Sequence, residues 1–125
     1  MNVVDSCGWL EYFADGPNAG VFAAAVEDTA ELVVPAISLF EVFKRILQQR
    51  SESDALRAVA AMQQGRVVPL DAALALSAAR FSLDLKLPMA DSIILASART
   101  HDATLWTQDE DFAHVPGVRY VAKRV

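Results

Sequence analysis

Short apolar runs rich in β-branched residues alternate along this chain with longer segments of helical periodicity, and that alternation dictates the class of fold. Asn2-Val3-Val4-Asp5, Glu31-Leu32-Val33-Val34-Pro35, Arg66-Val67-Val68-Pro69-Leu70, Ala103-Thr104-Leu105-Trp106-Thr107 and Val118-Arg119-Tyr120-Val121 each have the length and composition of a strand. Between them, Ser6–Phe13, Asn18–Asp28, Ile37–Arg50, Ser53–Gln64, Asp71–Leu85 and Met89–His101 read as helices. Leu39, Phe40, Phe43, Ile46 and Leu47 mark the apolar stripe of the third. Ser6 is placed to cap the first helix, Gly65 to end the fourth and Pro88 to start the last. Strands separated by helices imply an α/β fold, here a three-layer α/β/α sandwich around a mostly parallel five-stranded sheet. In such sheets ligands sit outside the carboxyl ends of the strands.

The chain of 125 residues has the size of one domain, so residues 1–125 are expected to form a single unit. One cysteine, Cys7, excludes an internal disulfide or a cysteine cluster, and His101 and His114 are too few for a zinc site. No run approaches the ~18 apolar residues of a membrane span, and no basic leader opens the chain, which together suggest a cytoplasmic protein that does not contact membrane. The net charge of −5 argues against a protein that grips duplex nucleic acid with a broad basic face.

What rises above fold class is where the acids fall. Asp5 closes the first strand, Glu41 lies in the first turns of the helix after the second, Asp91 opens the helix before the fourth, and Asp109 and Asp111 follow the fourth. A parallel sheet can bring these positions to one edge. Four carboxylates so gathered repel one another unless a cation sits among them, and hard oxygen donors suit Mg²⁺ or Mn²⁺. The chemistry that fits is metal-assisted phosphoester hydrolysis. Each acid also has a plainer reading. Ser38-Leu39-Phe40-Glu41 has the form of a capping box, as does Thr107-Gln108-Asp109-Glu110, and Asp91 suits a helix N-terminus by charge alone. Asp5, set in an apolar strand, is the hardest to explain without a partner.

Four segments in order also carry a resemblance. Val4-Asp5-Ser6-Cys7-Gly8-Trp9, Pro35-Ala36-Ile37-Ser38-Leu39-Phe40-Glu41, Met89-Ala90-Asp91-Ser92-Ile93-Ile94-Leu95-Ala96 and Leu105-Trp106-Thr107-Gln108-Asp109-Glu110-Asp111-Phe112 resemble the PIN-domain ribonucleases of the VapC type, toxins of type II toxin–antitoxin modules. The resemblance implies an Mg²⁺- or Mn²⁺-dependent endoribonuclease in which Asp5, Glu41, Asp91 and Asp109 are the catalytic, metal-holding residues. It prefers Asp109 to Asp111 as the fourth acid. Ser6, Thr107 and Asp111 would orient ligands or water. It also implies an RNA substrate, a second copy of the chain as a homodimer partner, and a cognate antitoxin able to place a basic side chain in the acidic pocket.

Lys44 and Arg45 follow Glu41 by three and four residues, near enough on a helix to guide RNA phosphates, or to form solvated ion pairs. Arg50 reads as a surface residue, Cys7 as a small packed one, and Trp9, Phe13, Phe40, Phe43, Trp106 and Phe112 as packing rather than base-stacking groups. The apolar stretches Val21–Val26 and Leu56–Met62 exceed what one small core needs and are expected to mark partner surfaces. Two other functions compete. A receiver-like phosphoacceptor domain would use Asp5, Asp71, Thr107 and Lys123, and a catalytically silent PIN domain would serve interaction alone. If the four acids form one pocket, setting them aside leaves 12 acidic against 11 basic residues, a remainder of −1. RNA would then be held mainly through metal.

Overall fold

The computed structural model describes residues 1–124. Five strands, β1 (Asn2–Val4), β2 (Val33–Pro35), β3 (Arg66–Val68), β4 (Thr104–Thr107) and β5 (Val118–Tyr120), alternate with six helices. These are α1 (Ser6–Phe13), α2 (Ala19–Val26), α3 (Ala36–Gln49), α4 (Glu52–Met62), α5 (Ala72–Leu85) and α6 (Met89–Thr100). All strand pairs are parallel. β4 lies between β1 and β5, β2 pairs with β3, and a single bridge from Asn2 to Leu32 joins the two groups, giving the order β3-β2-β1-β4-β5.

Period-two alternation sends successive strand residues to opposite faces. Val4, Val34 and Trp106 enter one core with Trp9, Phe22, Val42, Ile46, Ala58 and Met62, from the helices of α1–α4. Val3, Val33 and Leu105 enter the other with Ile94, Leu95, Ala98 and Phe112, beneath α6. Helix α5 packs on α6 through Leu74, Ala78, Ile93 and Ala96. The sheet is thus covered on both faces, as the run of buried β-branched residues requires, and the α/β/α sandwich stands.

Several local expectations are corrected. Helix α1 is capped by Asp5, whose Oδ1 accepts from the Ser6 amide at 2.8 Å, so Ser6 is the first helical residue and its hydroxyl is free for another partner. The capping box at Ser38 does not form. Helix α3 starts at Ala36, directly after Pro35, which places Ser38 inside the first turn; its Oγ is buried and finds no partner among the described residues. The second apolar helix is shorter than its composition suggests and gives way to a 3₁₀ turn at Thr29–Glu31. A further 3₁₀ turn, Glu110–Phe112, follows β4 and seats Phe112 in the core. The apolar stretches of α2 and α4 are mostly consumed by the core, through Phe22, Ala25, Val26, Ala58 and Met62. Leu56 of α4 stays exposed, but the most exposed large apolar residues lie elsewhere, at Leu76, Leu83 and Met89 on α5 and the start of α6. Phe40 is exposed as well, with the Lys44 ammonium 5.7 Å from its ring centroid, whereas Trp9, Trp106 and Phe112 pack as expected.

This topology fixes where a ligand belongs. The chain leaves β1 toward β2 and β3 on one side, then returns to β4 and β5 on the other, so the crevice between the carboxyl ends of β1 and β4 is the switch point of the sheet. Helix α6 precedes β4 and runs against it, which brings its N-terminus to the same edge. No helix among the described residues is long and apolar enough to cross a membrane.

Candidate active site

Asp5 follows β1 immediately and Thr107 ends β4, one on each side of the switch-point crevice. Their side chains meet: Thr107 Oγ1 donates to Asp5 Oδ2 at 2.7 Å. The same hydroxyl oxygen accepts from the Asp109 amide at 2.9 Å, so Thr107 holds the backbone that carries Asp109 against the carboxylate of Asp5. Asp109 in turn caps the 3₁₀ turn, its Oδ1 accepting from the Asp111 amide at 2.9 Å. Asp91 enters from the first turn of α6. Asp5, Asp91 and Asp109 each present an oxygen within 4.8 Å of the others, and Asp5 is buried while the other two are half-buried.

Glu41 lies beside this group rather than within it. It reaches the same cavity from the second turn of α3, and its Oε1 accepts from Ser6 Oγ at 2.6 Å. That bond explains the freed Ser6 hydroxyl and replaces the local cap. The cavity, about 660 Å³, is lined by all four of these acids together with Ser6, Cys7 and Gln108.

Charge in this crevice is costly. Burial pushes the Asp5 carboxyl up to about 6, against the hydrogen bonds from Thr107, Cys7 and the Ser6 amide that favour its ionised form, with the charge of Asp109 adding to the rise. Burial, reinforced by the charges of Asp5, Asp109, Asp111 and Glu41, pushes Asp91 up to about 8. Asp91 thus resists ionisation at neutral pH, and a cation among these carboxylates would lower that cost. The donor set of hard oxygens fits a divalent ion of the Mg²⁺ or Mn²⁺ kind, which would restore the ionised state of both aspartates.

The sequence-based candidates separate in space. Asp5, Asp91, Asp109 and Glu41 converge, Ser6 and Thr107 bond to two of them, and Asp111 contributes charge from the 3₁₀ turn. Arg45 lines the cavity, but Lys44 stands over Phe40 and does not. Asp71, needed by a receiver-like reading, caps α5 through the Leu74 amide at 2.8 Å and is not in the cavity.

Other residues at the site escape the sequence reading. Cys7 Sγ lies 3.3 Å from both Asp5 Oδ2 and Thr107 Oγ1, and burial beside the Asp5 charge pushes the thiol up to about 12, so it is a protonated donor and not a nucleophile. Its place two residues after Asp5, at the start of a helix, was the available signal. Arg50, Arg57 and Lys123 also line the cavity, and Gln108 is anchored beside it by Asn18 Nδ2 at 2.9 Å. No sequence signal ties these to the acids, because they arrive through the packing of α3 on α4 and through the path of the C-terminal segment.

Chains of the same architecture are known. The fold matches a toxin–antitoxin complex from Klebsiella pneumoniae with a TM-score of 0.79 at 24% identity, covering 94% of this chain and 95% of that one. It matches VapC20 of Mycobacterium tuberculosis, a Sarcin-Ricin loop cleaving toxin, with a TM-score of 0.79 at 16% identity over 95% of this chain and 98% of that one. DNA-bound VapBC from Salmonella typhimurium aligns with a TM-score of 0.74 at 15% identity, covering 98% of each chain. No curated protein matches by sequence. The sequence model of the PIN domain, however, matches residues 3–118, a span that takes in β2, β3 and β4 whole, all six helices and each of the four acid-bearing segments, and by that match this chain belongs to the PIN domain family.

Proposed function

We propose that the protein is a divalent-metal-dependent endoribonuclease of the VapC type, acting as the toxin of a type II toxin–antitoxin module in the cytoplasm. The observation that carries the reading is the meeting of Asp5, Asp91 and Asp109 within 4.8 Å at the switch point of the sheet, with Glu41 in the same cavity. Solved toxin–antitoxin complexes that share the fold support the assignment of a toxin.

Asp5, Asp91 and Asp109 would hold Mg²⁺ or Mn²⁺, with Glu41 as a fourth ligand or as the carboxylate that orders water. When bound there, such an ion would supply Lewis acidity toward a phosphodiester oxygen and a more acidic water. The protein's own part is to aim the carboxylates and, through hydrogen bonds, to favour the ionised form of Asp5 against its burial. Thr107 and Cys7 donate to Asp5 Oδ2, the Ser6 amide donates to Oδ1, and the Ser6 hydroxyl fixes the orientation of Glu41. The half-buried crevice raises the strength of every charge interaction within it.

Two partners complete the reading. A cognate antitoxin would silence the enzyme by placing a cationic side chain among the carboxylates. A second copy of the chain would cover the exposed apolar side chains Leu76, Leu83 and Met89 on α5 and α6. The residues 1–125 would act as one domain. Purified protein is expected to cleave single-stranded RNA only when Mg²⁺ or Mn²⁺ is supplied. A folded Asp5→Asn variant that cleaves at the parent's rate would sink the assignment, and sequencing 5′ ends after brief expression beside an Asp91→Asn control would identify the RNA.

A further inference from the structure

The cavity that carries the carboxylates continues past them along the α3–α4 hairpin. Its wall there presents Arg45 from α3, Arg50 from the end of that helix and Arg57 from α4, and Lys123 of the C-terminal segment lines the same space. All four side chains are exposed. Among the described residues none of them lies within 4.0 Å of a carboxylate, although Glu11 and Asp54 line the cavity too. They therefore remain open to a ligand. Counted along α3, Arg45 lies about 6 Å and Arg50 about 13 Å of axial rise beyond Glu41, so the positive charge extends away from the carboxylates along the helix axis. The same lining includes apolar side chains, Leu10 and Phe13 of α1 with Ile46 and Ala58 of α3 and α4.

A ligand that satisfies both ends must carry several anionic groups in a line, one of them able to share a cation with the aspartates. It must also offer apolar faces between them. A single nucleic-acid strand meets both demands, because its phosphates repeat along the backbone and its unpaired bases expose π-faces that stack on apolar and aromatic surfaces. A duplex meets only the first. Guidinium groups without a protein partner suit phosphate in particular, through paired N–H donors in one plane.

We propose that Arg45, Arg50 and Arg57 form a phosphate track that holds the RNA strand on one side of the bond to be cleaved, with a base laid against Leu10 and Phe13. The inference rests on the ribonuclease reading of the carboxylate site and names how that site takes its substrate. It also revises the view, drawn from net charge, that metal supplies nearly all of the contact: the cations are few but local.

The test is binding of a labelled single-stranded oligoribonucleotide to an Asp5→Asn protein, which does not cut it, measured by fluorescence anisotropy over a series of salt concentrations. Arg50→Gln and Arg57→Gln in that background are expected to weaken binding about tenfold each, as loss of a charged hydrogen bond predicts. The slope of log affinity against log salt should fall by about 0.7 per arginine removed. In protein retaining Asp5, the same changes should raise KM with kcat nearly held, and Arg57→Lys should recover part of the loss. Both side chains are exposed, so thermal midpoints should match the parent's. Unchanged affinity and salt slope would overturn the track while leaving metal-dependent cleavage intact. Conversely, a protein that binds RNA through these arginines but never cleaves it with Mg²⁺ or Mn²⁺ would preserve the track and overturn the nuclease reading. Variants that keep RNA affinity but lose binding to an acidic peptide would assign the arginines to a protein partner, against the proposal.

Discussion

The hydroxyl of Thr107 donates to Asp5 Oδ2 at 2.7 Å while accepting from the Asp109 amide at 2.9 Å, so one buried side chain ties the ends of β1 and β4 together across the crevice. Thr107→Val keeps the shape and removes both bonds. It leaves the Asp109 amide without its acceptor and removes a donor that favours the ionised form of Asp5, so the Asp5 carboxyl should rise further above about 6. We expect a loss of about 1–3 kcal/mol in stability and weaker Mn²⁺ binding, by calorimetry, with Thr107→Ser recovering both. Equal Mn²⁺ affinity in the valine and parent proteins would contradict the role given to Thr107.

The raised carboxyl groups set the sign of the protein's pH dependence. Asp5 and Asp91 bind protons more tightly in the folded than in the unfolded state, at about 6 and about 8 against an ordinary value of 3.8. Their contribution to stability is therefore fully present below about pH 4 and is lost as pH rises through 6 and then 8. Metal-free protein should melt at a falling temperature between pH 5 and pH 8.5, apart from general acid effects at the low end. Saturating Mg²⁺ or Mn²⁺ should flatten that fall and release protons on binding. A thermal midpoint that climbs steadily with pH in the absence of metal would be the opposite of this expectation.

Asp91→Asn should separate stability from function. The neutral amide removes a charge that faces Asp5, Asp109, Asp111 and Glu41, so metal-free protein at pH 8 should melt higher than the parent. The same change takes one oxygen anion from the carboxylate group, so added Mn²⁺ should no longer raise the melting temperature as it does for the parent. Differential scanning calorimetry with and without Mn²⁺ reads both effects. An asparagine variant less stable than the parent without metal would mean that Asp91 is held by bonds and not by metal.

Gly8 carries the approach of α1 to the sheet. A Cβ there would come within 2.7 Å of Val4 Cγ1 and 2.8 Å of the Phe22 ring, both in the core. Since α1 begins at the Asp5 cap, lifting it also strains the site. Gly8→Ala is expected to cost about 1–3 kcal/mol by denaturant unfolding, and to weaken Mn²⁺ binding in step. A fully stable alanine variant would show that α1 can shift without cost.

How much of this was legible beforehand follows from which interactions are local. The strand runs and helical stripes are local patterns, and each element appeared within a few residues of its expected bounds. Acids at strand ends were legible because parallel topology brings those ends to one edge whatever the details. The Ser38–Glu41 capping box was misleading because it depends on where the helix begins, and Pro35 allows α3 to start at Ala36 with no intervening loop. Glu41 then answers to Ser6, 35 residues away, a pairing that no spacing rule contains. Arg50 and Arg57 were invisible as site residues for the same reason: they reach the cavity through tertiary packing. The apolar surplus of α2 and α4 proves to be mostly core, because apolar content alone does not tell which helix faces the fold will bury. Helices α2 and α4 give their apolar residues to one core, α4 chiefly against α3, whereas α5 packs on α6 and keeps apolar residues outward.

That outward face gives the last prediction. Leu76, Leu83 and Met89 are 70%, 82% and 72% exposed, an unusual state for large apolar side chains, and Leu70 and Ala79 extend the surface between them. Beside it, Leu83 and Met89 line a shallow apolar cavity of about 490 Å³ with Ala75, Ser82 and Ile93, able to receive a side chain from another copy. The same face on a second chain can meet it about a two-fold axis, each side supplying the same residues. Burying such a patch at roughly 25 cal/mol per Å² favours association, and a charge placed in its centre opposes it twice over, once from each copy. Leu83→Glu should convert a dimer to a monomer at micromolar concentration by sedimentation. Because Leu83 is exposed, the fold and Mn²⁺ binding should survive the change. A parent chain that sediments as a monomer, or a Leu83→Glu protein that remains dimeric, would remove this face from the account of assembly.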